Sequence, residues 1–479
     1  MASLVRGLNT AAGGAGRLKA IALLASVLAS AAGDQTIAGA VALDMKVALG
    51  IGNIKIGLLV TAASVMGALT TLPFGLLADR IARVRLLAGC VVLWSAAIVV
   101  AGASQSYLMV LLAQIILGAG IGAATPVVAS LTGDLFPPGD RGRIFGLILA
   151  GEFAGAAAGL LIAGEVSAIW LWRGAFWVLA VPGVILAVAL VRMLPEPIRG
   201  GMGLLELGDP EPASDDPARS PSLAQLTVGA GIKPREKNVL TEDPTDKSLA
   251  WAVRYVLSIR TNVLLIIASA LAYYFVAGLQ TFAVVFLRGR FDLNQGIATA
   301  LLVVVGLGVI SGTLITGPLS DRAIAKGRIA GRPVIAGLSC LVAVAFFVPA
   351  FLAVSMWAAL PLFFLGATGL GGANPPLDAS RLDIMHSRLW GRAESVRNFL
   401  QTLLKSSAPL VFGYLSTILS PAGSDPDQVQ GGGAIGLDRA FIAMLGVLVI
   451  AALILLLAAS KRYPRDVATA LASERATRG

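Results

Sequence analysis

Long, almost uninterrupted apolar segments constrain this chain more than any other feature of its sequence. Each is roughly 20 residues long, the length that an α-helix needs to cross the hydrocarbon core of a bilayer. The short alternating segments of about ten residues that mark membrane β-barrels do not occur. The sequence therefore predicts an all-α membrane protein with twelve transmembrane helices, at about 18–41, 56–78, 86–104, 107–131, 143–167, 174–194, 262–287, 296–320, 333–353, 355–380, 393–420 and 438–460.

Composition and charge support a membrane protein and argue against a nucleic-acid partner. Hydrophobic residues make up 57% of the chain and charged residues 13%, against about 25% charged in soluble proteins. The net charge is +10, and most Lys and Arg residues lie on the side that holds both termini and the central loop. Because cationic loops stay in the cytoplasm, both termini are predicted to be cytoplasmic. The basic balance then reflects topology and attraction to anionic membrane lipids.

Polar segments divide the chain into two halves. The longest one is rich in Pro, Gly, Asp and Ser and is predicted to be a disordered linker. The apolar face that follows it predicts either a short helix along the cytoplasmic interface or an extension of the seventh span. The predicted units are a cytoplasmic tail at 1–17, a six-helix bundle at 18–194, the linker at 195–247, the interfacial helix at 248–260, a second bundle at 261–460 and a cytoplasmic tail at 461–479.

The two halves repeat each other. The stretch 75–80, Gly-Leu-Leu-Ala-Asp-Arg, returns at 317–322 as Gly-Pro-Leu-Ser-Asp-Arg. Matching Gly, Ala, Pro, Asp and Arg residues in 120–143 return in 369–392 at a constant offset. A duplicated half-molecule in a membrane protein is typical of a transporter.

These residues resemble the major facilitator superfamily. The resemblance implies two pseudo-symmetric six-helix halves of inverted repeats, with a substrate path between them. It also implies a cytoplasmic latch, in which Asp79 meets the positive end of a neighbouring helix and Gly75 permits close helix approach. Arg80 and Arg83 could serve the latch or topology alone. The latch residues implied are Gly75, Asp79, Arg80, Arg83, Gly317, Asp321 and Arg322.

Shorter motifs are similar to two branches of that family. Asp34-Gln-Thr-Ile and Pro195-Glu-Pro-Ile-Arg-Gly resemble Spinster-type lipid transporters, and the first also resembles drug:proton antiporters. Both branches usually carry Arg in the fourth span, where this chain has Gln114. Ile121 stands where Spinster relatives tend to carry an acid.

Three ionisable residues are predicted to lie at bilayer depth, where a charge costs about 2.5–3.5 kcal/mol. Asp34 in span 1 and Glu152 in span 5 are candidates for proton coupling, or alternatively are structural acids tied to neighbouring helices. Lys405 in span 11 could neutralise either acid, bind an anionic substrate headgroup, or extend its ammonium to the membrane surface.

Polar and aromatic residues in other spans are candidates for the substrate pocket, although aromatic runs also pack against lipid. The pocket residues predicted are Gln114, Tyr273, Tyr274, Gln280, Asn374 and Lys405, with Phe275 beside them. His386 is expected to be solvated in a cytoplasmic loop, and Cys90 and Cys340 to be apolar filler. No phosphate-binding loop or metal-ligand cluster occurs, so no cofactor, metal or enzyme activity is predicted.

The resulting hypothesis is a proton-coupled secondary transporter in the cell (plasma or inner) membrane. It would export an amphipathic or hydrophobic molecule such as a drug or lysolipid, working as a monomer among membrane lipids. Symport of an organic anion through Lys405 is one alternative, and a non-transporting receptor is another. Retention of both Asp-Arg loops and of buried charge argues against the receptor.

Overall fold

The computed structural model describes residues 15–78, 80–135, 138–197, 223–242, 244, 247–386, 389–422 and 432–478. Within these residues every regular element is a helix. The helices α1 to α19 are, in order, Ala15–Ala40, Ala42–Leu49, Asn53–Ala78, Arg83–Gly102, Tyr107–Ile121, Ala124–Leu135, Pro138–Ile169, Trp172–Met193, Leu223–Gly229, Leu249–Ser258, Arg260–Phe291, Gln295–Ala325, Gly331–Leu352, Met356–Gly372, Asn374–Asp383, Trp390–Ser406, Ala408–Ile418, Gly432–Leu453 and Ser460–Arg478.

Helices α1 to α8 form the N half, and helices α11 to α18 form the C half. This division corresponds to the two bundles predicted from the sequence. We call the side of the bundle that holds Ala15 and Arg478 the terminal side and the opposite side the far side. Helix α1 runs from the terminal to the far side, and successive spans alternate in direction.

Ten helical segments of the described residues are long and apolar enough to cross a membrane. Predicted spans 143–167 and 393–420 are not among them. Helix α7 has 32 residues, and its segment Ala154–Ile169 is a shorter apolar helix. The other span breaks at Ser407 into α16 and α17, because Pro409 stands in the first turn of α17 and cannot continue the preceding helix. The predicted span 393–420 is therefore built from two consecutive helices.

Small residues bring α1 and α7 into close contact inside the N half. Gly155 and Gly159 lie one turn apart on α7 and face Ala29 and Gly33 of α1. A Cβ atom on either glycine would overlap the α1 backbone. This four-residue glycine spacing lets the two helices pack backbone to backbone, as small-residue motifs do in membranes.

Phenylalanine rings fill the centre of the C half. Phe275 of α11 is fully buried and lies 5.5 Å from Phe347 and 6.1 Å from Phe412, between ring centroids. Phe351 and Phe441 stack at 4.9 Å. Phe275 was expected beside the substrate pocket, but it belongs to this packed core.

Hydrogen bonds join the two halves on the far side. Arg288 of α11 donates to the Asp44 carboxylate of α2 at 2.8 Å. Asn53 of α3 donates to Ser416 of α17 at 3.0 Å, and the Gln295 side chain donates to a carbonyl of α1. These contacts hold the far ends of the halves together.

Glycine also permits the far-side approach of α3 and α17. A Cβ on Gly413 would lie 2.5 Å from the Asn53 carbonyl oxygen, and a Cβ on Gly57 would overlap Pro409. Any larger residue at these positions would push the halves apart.

The terminal side carries a duplicated ion pair. Arg83 of α4 donates to Asp134 of α6, and Arg332 of α13 donates to Asp383 of α15. Each pair spans 51 residues of sequence. Arg83 is 2% exposed, so its ion pair with Asp134 is a buried contact within the N half.

Glu196 completes the N-half pair by capping a helix. Its carboxylate accepts from the backbone N–H of Arg83 at 2.9 Å and of Val84 at 2.8 Å, at the start of α4. It also pairs with the Arg83 Nε at 3.2 Å. A carboxylate at this helix end satisfies amides that have no partner within the helix and complements the helix dipole.

Gly75, which was expected to permit close helix approach, and its counterpart Gly317 both have space around them in this conformation. A Cβ on Gly75 would meet its nearest neighbour, Pro126, at 3.9 Å, which is ordinary contact, and a Cβ on Gly317 would meet nothing within 4 Å. Room for a side chain therefore exists at both positions in this conformation.

The latch aspartates differ in what the structure shows. Asp79 lies outside the described residues. Its counterpart Asp321 accepts from Arg332 at 3.1 Å, at the start of α13. Arg80 and Arg322 are exposed.

Part of the predicted disordered linker is ordered, which corrects the prediction for 223–242. The Arg235 backbone N–H donates to Thr469 at 2.9 Å, and its guanidinium pairs with Asp466 at 3.2 Å. Both partners lie on α19, which folds back onto the bundle. Linker composition alone could not reveal these contacts because the partner helix lies more than 200 residues away in the sequence.

His386 is buried rather than solvated. It is 2% exposed, its Nε2 hydrogen-bonds Thr477 at 2.9 Å, and its Nδ1 lies 3.7 Å from Glu474. Both partners belong to α19. The docked terminal helix covers a loop that otherwise would face water.

Helix α10 lies beside the ordered segment 223–242, which packs against α19. Trp251 and Tyr255 stack with centroids 5.3 Å apart, while Ala252 and Val256 are fully buried against the C half. Tyr255 donates to the Asn238 carbonyl at 3.1 Å. Burial raises the pKa of Tyr255 to about 12, so its phenol remains a donor at neutral pH.

We expect Arg83→Gln to lower the free energy of unfolding by about 3 kcal/mol, because it removes the buried cation that pairs with both Asp134 and Glu196. Arg80→Gln is the matched control, since Arg80 is exposed and its loss should change stability by less than about 0.5 kcal/mol. Thermal unfolding of the purified variants in detergent measures both. Equal losses for the two variants would contradict the structural role of Arg83.

Candidate substrate site between the halves

Helix breaks mark the middle of three predicted spans. Span 4 is interrupted between α5 and α6 at Gly122, span 10 between α14 and α15 at Ala373, and span 11 between α16 and α17 at Ser407. The first two fall in the repeated sequence of the two halves. At all three points the residue keeps a right-handed helical backbone conformation, so each interruption is short and the span continues across it.

Lys405 lies in the last turn of α16, directly before the break. Its ammonium sits 5.8 Å from the centroid of the Tyr273 ring of α11. A cation at the carbonyl end of a helix and over an aromatic face is stabilised by both. Lys405 is half-buried. The surrounding protein groups therefore replace part of the hydration that its ammonium loses inside the bilayer.

Glu152 of α7 brings the opposite charge from the N half. Its carboxylate interacts electrostatically with Lys405 and with Tyr273, which both belong to the C half. Two opposite charges, one from each half, therefore lie within electrostatic range of each other without forming an ion pair. Of the two acids considered as partners of Lys405, Glu152 is the one that interacts with it electrostatically.

Further charged side chains extend this cluster along α15 and α16. Arg381 donates to Asp378, and Arg397 lies 4.0 Å from the same carboxylate. Arg397 also donates to Gln401 at 2.8 Å. Sequence reasoning missed these four residues, although two signals were present: the i,i+3 spacing of 378 and 381 and the i,i+4 spacing of 397 and 401.

The remaining predicted pocket residues spread over a wider region. Tyr274 accepts from Ser407 at 3.2 Å, at the break of span 11. Asn374 begins α15 at the break of span 10. Gln114 is buried in α5, and Gln280 is exposed nearer the far side. Tyr274 and Asn374 thus lie at helix breaks, whereas Gln114 and Gln280 lie away from them.

Asp34 faces away from the C half. On α1 the face that meets the C half is set by Gly39, whose Cβ would lie 2.6 Å from the Gln280 carbonyl oxygen. Five residues of α-helix rotate Asp34 by roughly 140° from that direction. Its carboxylate accepts from Ser30 at 3.3 Å on the same helix. Asp34 therefore lies on a different face of α1 from the one that meets the C half at Gly39.

Comparison with known proteins identifies the class. A family model described as Major Facilitator Superfamily matches residues 23–409. The chain belongs to the Major Facilitator Superfamily and is a multi-span membrane transporter rather than an enzyme.

The fold is also that of a solved member. The crystal structure of a bacterial homolog to the human lysosomal transporter Spinster, in an inward-facing and unoccupied conformation, superposes with a TM-score of 0.69 at 21% identity. The match covers 93% of this chain and 97% of that chain. The two-half architecture predicted from the repeats is thereby confirmed.

Curated relatives match over shorter stretches. The chain is 32% identical to the "Probable 4-methylmuconolactone transporter" of Cupriavidus pinatubonensis, over 28% of this chain and 33% of that protein. It is also 32% identical to the "3-(3-hydroxy-phenyl)propionate transporter" of Escherichia coli, over 34% and 40%. The chain therefore aligns with well under half the length of these two relatives.

We expect a double-mutant cycle to detect the pairing of Lys405 with Glu152. Lys405→Met should lower the free energy of unfolding by about 3 kcal/mol, because it strands the acid at bilayer depth. Glu152→Gln should remove most of that loss when it is combined with Lys405→Met. Thermal unfolding of the four proteins in detergent gives the coupling.

Asp34→Asn is the matched control for this cycle. Combined with Lys405→Met it should give additive losses, since Asp34 faces another part of the N half. Coupling of Lys405 to Asp34 and not to Glu152 would contradict the geometry.

Proposed function

We propose that this protein moves a small organic anion, such as an aromatic carboxylate, together with a proton by alternating access between its halves. The observation that carries this proposal is the electrostatic interaction of Lys405 with Glu152 of the opposite half, where the Lys405 ammonium also lies 5.8 Å from the Tyr273 ring centroid. A substrate held at such a point touches both halves, so its binding can influence how they move against each other.

The charges of the cluster favour an anionic substrate. Its cations are Lys405, Arg397 and Arg381, and its acids are Glu152 and Asp378, which leaves an excess of one positive charge. A substrate carboxylate would pair with the Lys405 ammonium while its ring lies against Tyr273. The relative in Escherichia coli, whose name specifies an arylpropionate, supports the same class of substrate.

Glu152 is the group that we assign to proton coupling. When a substrate carboxylate takes Lys405 as its partner, the Glu152 carboxylate loses its nearby cation. An unpaired charge at this depth is costly, so Glu152 takes up a proton as the anion binds. Substrate and proton then cross together. Asp34, the other acid considered for coupling, is turned away from this exchange.

Export of a drug-like or lysolipid-like molecule is the weaker hypothesis for this central site. A neutral hydrophobic substrate would leave the one excess positive charge of the cluster uncompensated, at a cost in desolvation. An organic anion completes the charge balance of the same cluster.

The conformation also fits one step of the transport cycle. The far side is held by the Arg288–Asp44 and Asn53–Ser416 hydrogen bonds. The concentration of Lys and Arg on the terminal side assigns that side to the cytoplasm. We infer that this state closes the path to the outside and that these bonds must break for it to open.

We expect Lys405→Met to abolish uptake of radiolabelled 3-phenylpropionate into proteoliposomes, because the substrate carboxylate loses its cation. Lys55→Met is the matched control: Lys55 lies 5.4 Å over the ring of Tyr107, outside the proposed site, and its loss should leave the rate within twofold. Wild-type uptake by Lys405→Met would remove the substrate assignment.

Glu152→Gln should separate proton coupling from binding. It should lose accumulation driven by a pH gradient and retain counterflow of the same substrate, because exchange requires no net proton movement. Asp34→Asn should keep gradient-driven accumulation. Coupled accumulation by Glu152→Gln would instead assign the proton to another group.

Arg288→Gln should weaken the far-side closure. Spin labels at Val47 and Val354, which are 75% and 92% exposed on that side, would report the distance between halves in a background without Cys90 and Cys340. The variant should increase the population of longer distances. Arg290→Gln is the matched control, because Arg290 pairs with Asp438 inside the C half. Identical distance distributions in all three proteins would refute the closure.

A further inference from the structure

A cleft of about 460 Å³ opens between α1, α7 and α8 of the N half. It is lined mostly by apolar and small residues, and its volume lies in the range of small-molecule sites, roughly 300–1,000 Å³. Ala29, Gly33 and Ala158 contribute little side-chain bulk, which leaves the space between the helices open.

The mouth of the cleft lies on the lipid-facing surface. Ile185 of α8 and Ile162 of α7 line it and are 64% and 40% exposed. Ile185 belongs to an exposed apolar stripe on α8 with Val181 and Val188. Helix α8 packs against α1, α4 and α7, all of the N half. Exposed apolar side chains on such a helix face hydrocarbon, so the cleft is open to the bilayer.

The floor of the cleft carries a buried acid. Asp34 is 3% exposed and is the one ionisable residue among the described residues that line the cleft. Ser30 donates to its carboxylate at 3.3 Å. The buried indole N–H of Trp94 interacts with the carboxylate without forming a hydrogen bond to any described residue. The acid therefore has neutral neighbours.

A carboxylate at bilayer depth requires a cation, a proton or water to offset its charge. No Lys or Arg of the described residues lines the cleft. An occupant with a positive head and an apolar tail would supply the missing charge and fill the apolar walls. A fatty acid would bring a second negative charge, and a neutral alkane would leave the acid without a partner.

We propose that this cleft binds a hydrophobic amine dissolved in the membrane, with its ammonium against Asp34 and its alkyl chain between α7 and α8. The site is reached from the bilayer and is separate from the anion site between the halves. It assigns to Asp34 the recognition of a cationic amphiphile.

Photolabelling in lipid nanodiscs tests the proposal. The probe is decylamine with a diazirine on its terminal carbon, and the neutral comparison is decanol with the same group. The amine should label peptides containing Ile162 or Ile185 about tenfold more than the alcohol does. Equal labelling by the two probes would mean that the cleft is an ordinary lipid-contact surface and would overturn the proposal.

Three variants locate the site. Asp34→Asn should reduce amine labelling of these peptides about tenfold and leave alcohol labelling unchanged. Ile185→Trp should reduce labelling by both probes, because it fills the mouth without touching the acid, and Val181→Trp, on the same exposed stripe, should change neither. Undiminished amine labelling in Ile185→Trp would overturn the proposal even if Asp34→Asn fails to fold.

Discussion

The cost of placing charge inside a bilayer is the constraint on which the rest of this structure depends. Apolar helices form the bundle readily, but each ionisable side chain within it must find a partner or a wet space. Lys405 meets this requirement at the end of a broken helix, over Tyr273 and near Glu152 of the other half. Asp34 meets it differently, in a cleft that opens to lipid. The same constraint thus underlies the two sites that we propose, which differ in the charge of the ligand that they prefer.

The repeated sequence forms equivalent ion pairs in the two halves at the membrane surface. At the centre, between the halves, the two repeats contribute different residues. Arg83 with Asp134 and Arg332 with Asp383 form equivalent ion pairs in the two halves. Between the halves the symmetry ends: Glu152 comes from one half, and Lys405 and Tyr273 come from the other. Symmetric ion pairs can stabilise each half as a unit, while an asymmetric pair between the halves can respond to a substrate. Far-side hydrogen bonds then hold the halves together at that end.

Much of the fold could be predicted from the sequence because spanning length and duplication are local properties. The site was harder to predict. The sequence marked Lys405, Tyr273 and Glu152 as candidate site residues. It could not show which acid lies near Lys405, because that depends on the rotation of α1, which turns Asp34 away from the C half. His386 was misplaced because its burial requires α19 to fold back. Arg332 could have been found, since it stands at the same repeat offset from Arg83 as Asp383 does from Asp134.

The central claim is that an anion at Lys405 drives a proton onto Glu152, and proton uptake on substrate binding tests it most directly. Purified protein in weakly buffered detergent solution with a pH-sensitive dye should take up about one proton for each 3-phenylpropionate bound. Glu152→Gln should bind the anion without proton uptake, and Asp34→Asn should behave as the wild type does. Uptake that persists in Glu152→Gln and disappears in Asp34→Asn would contradict the account.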